Sequence, residues 1–121
     1  MAETVVVIGA TPKEDRFANR AMRMLLSHGH RVIPVNPAFD EVMGHPCKPT
    51  VSAIQEPIDT MTMYVGPARS EPLIAEIVAA KPRRIIFNPG AENPNLAKAA
   101  SAAGIEVVED CTLVMLQAGT F

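Results

Sequence analysis

Gly9-Ala10-Thr11-Pro12-Lys13 is the first segment that could do chemistry, with Arg16 three positions beyond it. Gly9 lets the backbone turn without a Cβ clash, so the amides after it, together with the start of a following helix, can face a diphosphate. The Thr11 hydroxyl adds a donor, and Lys13 and Arg16 add positive charge. An ordinary strand-to-helix loop with solvated charges has the same residues, and an isolated G-A-T-P-K does not separate the two. A nicotinamide dinucleotide fits less well. Only Gly9 remains of the G-x-G-x-x-G fingerprint, and Val35 is followed by Asn36-Pro37 where a ribose-binding Asp or Glu would stand. Asp40 comes too late, in a proline-rich loop.

The remaining reactive residues form no catalytic set. His28 and His30 flank Gly29 and His45 lies among prolines, with no carboxylate spaced to pair with them and no metal-ligand spacing. Cys47 and Cys111 are far apart and lack C-x-x-C spacing, so neither a zinc site nor a disulfide framework follows. Cys111 follows the last predicted strand, where a thiol could meet a ligand sulfur, although a small buried residue starting a helix is the commoner use. Glu92-Asn93 could bond a ligand, or cap the helix predicted just after it, which is again the commoner use.

The elements that must position these residues alternate. Residues 4–9 (TVVVIG), 31–35 (RVIPV), 59–65 (DTMTMYV), 84–87 (RIIF) and 105–108 read as strands, with Pro34 demoting the second because proline cannot donate to the ladder. Residues 16–28, 73–80, 95–103 and 112–117 read as helices, with Gly29 and Gly104 as stops, and Pro67 and Pro72 suit only a helix start. Residues 36–57 are rich in turn formers, with a short strand predicted near Cys47 and a helical turn at 51–54. The pattern predicts one α/β, three-layer domain over residues 1–121, a doubly wound parallel sheet of Rossmann-like type. Ligands of such a sheet sit outside the carboxyl ends of the strands, near the switch in strand order. The loops after residues 9, 35, 65 and 87, with Glu109-Asp110-Cys111 after the last strand, are therefore the candidate site.

With 121 residues, 48% hydrophobic and 20% charged, the chain fits one globular domain and not two. The net charge of -2 and the lack of a basic run argue against nucleic acid as a partner. The start MAETVVVIGA has no basic leader region and no apolar run reaches membrane-spanning length, so a cytoplasmic protein is expected. Residues 113–116 are predicted either to cover a sheet edge or to pack on a second subunit, and a homodimer is the expectation.

Four blocks, G-A-T-P-K-E-D-R, H-G-H-R-V-I-P-V-N-P with D-E-V-M-G behind it, N-P-G-A-E-N, and A-A-G-I-E-V-V-E-D-C, resemble the small stand-alone CoA-binding domain proteins. These are similar to the N-terminal CoA-binding domain of the succinyl-CoA synthetase alpha subunit. The resemblance runs over nearly the whole chain and implies coenzyme A or an acyl-CoA as ligand. It would place Gly9, Ala10, Thr11, Pro12, Lys13 and Arg16 at the diphosphate. Val35, Asn36 and Pro37 would flank the adenosine, Val65 and Pro67 would wall the pantetheine, and Asn88, Pro89 and Gly90 would line the opposite rim. The synthetase's phosphorylated histidine lies in a second domain, and with no such domain expected here, a non-catalytic binding or sensor module is expected, with a nicotinamide-linked reductase or an acyl-CoA ligase subunit as the alternative.

Overall fold

A computed structural model describes residues 2–121. The apolar, β-branched run TVVVI forms β1 (Thr4–Ile8), which lies inside a five-stranded sheet because both of its faces need covering. Its neighbours are β2 (Arg31–Val35) on one side and β5 (Thr60–Met63) on the other, followed outward by β6 (Arg84–Phe87) and β7 (Glu106–Glu109). All are parallel, in the order β2-β1-β5-β6-β7. The chain leaves β1 toward β2, then returns past β1 to β5 and continues the other way. The strand order therefore reverses between β1 and β5, and a crevice opens there at the carboxyl ends.

Helices cover both faces. α1 (Phe17–Ser27) buries Ala18, Ala21, Met22 and Leu25 on the face that carries Val5 and Val7. α5 (Thr112–Ala118) joins this face through Leu116, and α1 and α5 pack side by side. The other face carries Val6, Ile8, Met61, Met63, Ile85 and Phe87, packed by Ile77 of α3 (Ile74–Ala80) and by Leu96 and Ala100 of α4 (Pro94–Ala102). The expected three-layer domain is thus present. Residues 113–116 do not cover a sheet edge: the edges are β2 and β7, and α5 lies flat on a face with Met115 and Leu116 buried and Val114 exposed.

Pro34 shows how an edge strand accepts proline. Its carbonyl accepts from the Lys48 N–H, on the side away from β1. A strand residue points its N–H and C=O to the same side, so the donor that proline lacks would have faced outward and β1 loses nothing. Pro67 and Pro72 also sit at helix starts, Pro67 as the first residue of α2 (Pro67–Ser70), a turn absent from the sequence reading, and Pro72 in the 3-10 turn Glu71–Leu73.

The short strand expected near Cys47 is present at His45–Pro46, but its pairing in a hairpin was unexpected. β3 (Glu41–Val42) pairs with β4 (His45–Pro46) through the two-residue loop Met43-Gly44, with φ of 53° and 77°. Both values are positive, as a type I′ turn requires, and methionine is costly there while asparagine is favoured. Met43→Asn is therefore expected to stabilise the protein by about 0.5 kcal/mol, read as a higher urea midpoint with an unchanged slope. A midpoint that falls would contradict the turn assignment.

At the opposite end of the sheet, His30 Nδ1 accepts the Glu3 N–H at 2.9 Å, and the ring packs on Phe121 at 5.2 Å between centroids. Burial holds its pKa below the usual 6.5, although the Glu3 carboxylate pulls the other way. The unfolded chain then takes up a proton before the folded one does. The His30 contribution is complete above pH 6.5 and is lost as pH falls through the folded value. Urea midpoints should rise with pH from about pH 5 up to about pH 6.5 and then level off, and His30→Gln should flatten that limb.

Candidate ligand-binding site

The crevice at the β1/β5 switch is a cleft of about 630 Å³, within the ~300–1,000 Å³ range of small-molecule sites. Gly9 makes its floor possible. Its φ is 90°, and a Cβ there would lie 2.9 Å from Val65 Cγ1 and 3.0 Å from the Tyr64 carbonyl oxygen. A side chain at this position would both strain the turn and push β5 away.

The expected site residues divide. Gly9, Thr11, Lys13, Arg16, Asn36, Val65, Asn88, Pro89 and Gly90 line the cleft, whereas Ala10, Pro12, Val35, Pro37 and Pro67 do not. Ala10 and Val35 are buried in the core beneath it, and the three prolines are exposed outside it. The backbone also departs from expectation. The Gly9 and Ala10 N–H groups both donate to the Val35 carbonyl, at 3.0 and 3.3 Å, so they join β1 to β2 and are not free for a diphosphate. The open donors lie further on. No side chain caps α1, its first turn holds no acid, and Arg16, Phe17 and Ala18 at its start line the cleft. An uncapped helix start beside a basic residue favours an anion.

Two asparagines that look like ligand residues are clasps. Asn36 donates through Nδ2 to the Ala10 carbonyl and accepts through Oδ1 from the Ala38 N–H, both at 2.9 Å, tying the β2 exit to the β1 exit. Asn88, 3% exposed, donates through Nδ2 to Thr62 Oγ1 at 2.7 Å and to the Met63 carbonyl at 2.8 Å. Its Oδ1 accepts the Thr112 N–H at 2.9 Å. It thereby joins β5, β6 and the start of α5, and Thr62 and Thr112 share a further bond between their hydroxyls at 2.8 Å. Asn93 caps α4 by accepting the Leu96 N–H and ties that helix to α2 by donating to Ser70 Oγ at 2.8 Å, and Glu92 accepts the Gly90 N–H, so this pair serves the structure.

The sequence reading missed Phe17, Phe39, Tyr64, Arg69 and Leu113 as lining residues. Arg69 was detectable as a third cation just inside the helix that follows β5. Tyr64 was not. It lines the cleft while its hydroxyl is buried, and burial pushes the phenol up to about 12 against the opposing pull of the nearby Thr112 and Thr62 hydroxyls. It is therefore a neutral donor at physiological pH. Cys111 lines the cleft, half-buried, at the start of α5.

The charge pattern of the lining is one-sided. Lys13, Arg16 and Arg69 line the cleft, and no Asp or Glu does. Among the described residues none of the three forms an ion pair, although acids outnumber bases 13 to 11 in the chain. No group of three or more His, Cys, Asp and Glu among the described residues could hold a metal, and no helix is long and apolar enough to cross a membrane.

Known proteins share this architecture. The profile of the CoA binding domain matches residues 3–117. The ADP-forming acetate–CoA ligase I of Archaeoglobus fulgidus is 38% identical over 74 residues, which are 61% of this chain and 11% of the ligase. YneT of Bacillus subtilis is 29% identical over 72 residues, 60% of this chain and 51% of YneT. The aligned part is thus about half or less of these relatives. Among solved structures, an uncharacterized protein at 43% identity superposes with a TM-score of 0.94 over 100% of this chain and 99% of that one. A Thermus thermophilus protein at 31% identity superposes with a TM-score of 0.91 over 99% and 91% of the two chains. Spanned from residue 3 to residue 117 by that profile, the chain belongs to the CoA binding domain family.

Proposed function

We propose that the protein binds coenzyme A or an acyl-CoA in the cleft between the β1 and β5 exits, as a binding or sensor module with no catalytic step of its own. The observation that carries this reading is the lining charge: three unpaired cations and no carboxylate, at the switch point of a parallel sheet. A diphosphate satisfies such a set, through charge-assisted bonds to Lys13 and Arg16 and the open amides of α1. The half-apolar remainder, with Val65, Phe39 and Leu113, suits the pantetheine and the base. Tyr64, whose phenol burial keeps protonated, offers no general base to the cleft at neutral pH, which supports a role without catalysis. The β2 exit presents Asn36, Ala38 and Phe39 to the cleft and no acid, which disfavours a nicotinamide dinucleotide.

Calorimetric titration with CoA, ADP and NADH tests this. CoA should bind with a Kd in the micromolar range, about -8 kcal/mol, more tightly than NADH. No heat with CoA, or tighter binding of NADH, would overturn it. Mass spectrometry of natively purified protein should show retained CoA. A second reading, a component of an acyl-CoA ligase, is favoured by the likeness to the Archaeoglobus fulgidus ligase. Acyl-CoA formation by the purified chain from the acid, CoA and ATP, with release of ADP and phosphate, would favour it over a module without catalysis.

A further inference from the structure

We propose that Arg23 and Asn19, neither of which lines the cleft, are positioning residues that shape the loop at 11–15 for an anion; this rests on the cleft being the CoA site. Asn19 sits on the buried stripe of α1 and is 1% exposed, an unusual place for an amide among Ala18, Ala21, Met22 and Leu25. Its Nδ2 donates to the Thr11 carbonyl at 2.9 Å. Its Oδ1 accepts from Arg23 Nε at 2.9 Å, and Arg23 Nη2 donates to the Glu14 carbonyl at 2.8 Å. Asn19 and Arg23 are four residues apart, hence neighbours on one side of the helix. Together they hold both ends of the loop that carries Lys13.

The consequence is electrostatic as well as mechanical. A carbonyl oxygen carries partial negative charge and repels a phosphate. Turning the Thr11 and Glu14 carbonyls onto α1 side chains removes two such dipoles from the ligand's side. The trans peptide directs its N–H opposite its C=O, so holding the Glu14 carbonyl on Arg23 aims the Asp15 N–H away from α1. Arg23 bonds only neutral acceptors and forms no ion pair among the described residues, so its charge is not cancelled by a carboxylate. Within the loop, Thr11 Oγ1 accepts the Lys13 N–H at 3.2 Å and the Lys13 carbonyl accepts the Arg16 N–H at 3.2 Å. The turn is closed from inside and anchored from below.

The test uses Arg23→Met, which removes the donors and keeps the bulk, with Arg23→Lys as the conservative variant. Arg23→Met should weaken CoA and ADP alike by about 3- to 10-fold, and Arg23→Lys should recover part of the loss. The loss caused by Lys13→Ala should shrink in the Arg23→Met background, because a loop that no longer presents Lys13 has less to lose. In ligand-free protein, at a temperature where both proteins are fully folded, trypsin should cleave after Lys13 faster in Arg23→Met than in wild type, and by more than the lower unfolding midpoint of the variant accounts for. Additive losses, or an unchanged cleavage rate, would overturn the proposal. Should wild type fail to bind CoA, the functional reading falls, and the ligand-free cleavage rate still decides the role of Arg23 in the loop.

Discussion

Asn88→Ala is expected to lower the unfolding free energy by about 3 kcal/mol. The side chain makes three hydrogen bonds, to Thr62 Oγ1, to the Met63 carbonyl and from the Thr112 N–H, and it is almost fully buried. Each contributes about 1 kcal/mol net, and truncation strands buried partners that water cannot reach easily. A loss of this size is a large part of the ~5–15 kcal/mol by which a domain is stable. Urea unfolding at constant slope would measure it. The change should also loosen the cleft, because the Thr112 N–H is the first amide of α5, the helix that brings Cys111 and Leu113 to the wall. Asn88→Asp tests the chemistry separately. It keeps an acceptor for Thr112 but loses the donor to Met63 and buries a charge, so it should be no less damaging. A loss below about 1 kcal/mol for Asn88→Ala would mean that the junction of β5, β6 and α5 is held by something else.

Removing Lys13 and Arg16 together should have the largest effect on binding. Each stands to make a charge-assisted bond to a ligand phosphate, at about 1.5 kcal/mol, so the double alanine variant should weaken CoA by about 100-fold. Stability should barely change, because neither residue forms an ion pair among the described residues and both are exposed. The salt dependence of CoA binding should flatten as well, since fewer charges are neutralised on complex formation. Measured against ADP, the loss should be similar, which places it at the diphosphate. Unchanged CoA affinity, or an equal loss for uncharged pantetheine, would remove these two cations from the site.

Several of these features are readable before any fold is known. The run TVVVI, the switch to helical spacing with Ala21, Met24 and Leu25, and the stops at Gly29 and Gly104 are local signals, because propensity and periodicity act within a few residues. Alternation of strand and helix then leaves few topologies, and all of them put the loops after β1, β2, β5 and β6 at one edge. Even the reservation about Pro34 was a correct local inference, since the strand is at the edge. The hairpin at Met43-Gly44 escaped because methionine hides a turn that needs positive φ at both positions.

What the residues alone determined is the sheet with its covering helices, the edge at which the chain can hold a ligand, and the cations Lys13 and Arg16 near it. Only the tertiary structure decided which neighbours on those loops face inward. Ala10 and Val35 turn into the core, while Phe39, Tyr64 and Arg69 turn to the cleft, and Asn88 spends its amide on Thr62, Met63 and Thr112. The physical reason is range: periodicity is a property of one segment, whereas an asparagine's partners stand 24 to 26 positions away and are chosen only when the sheet has assembled.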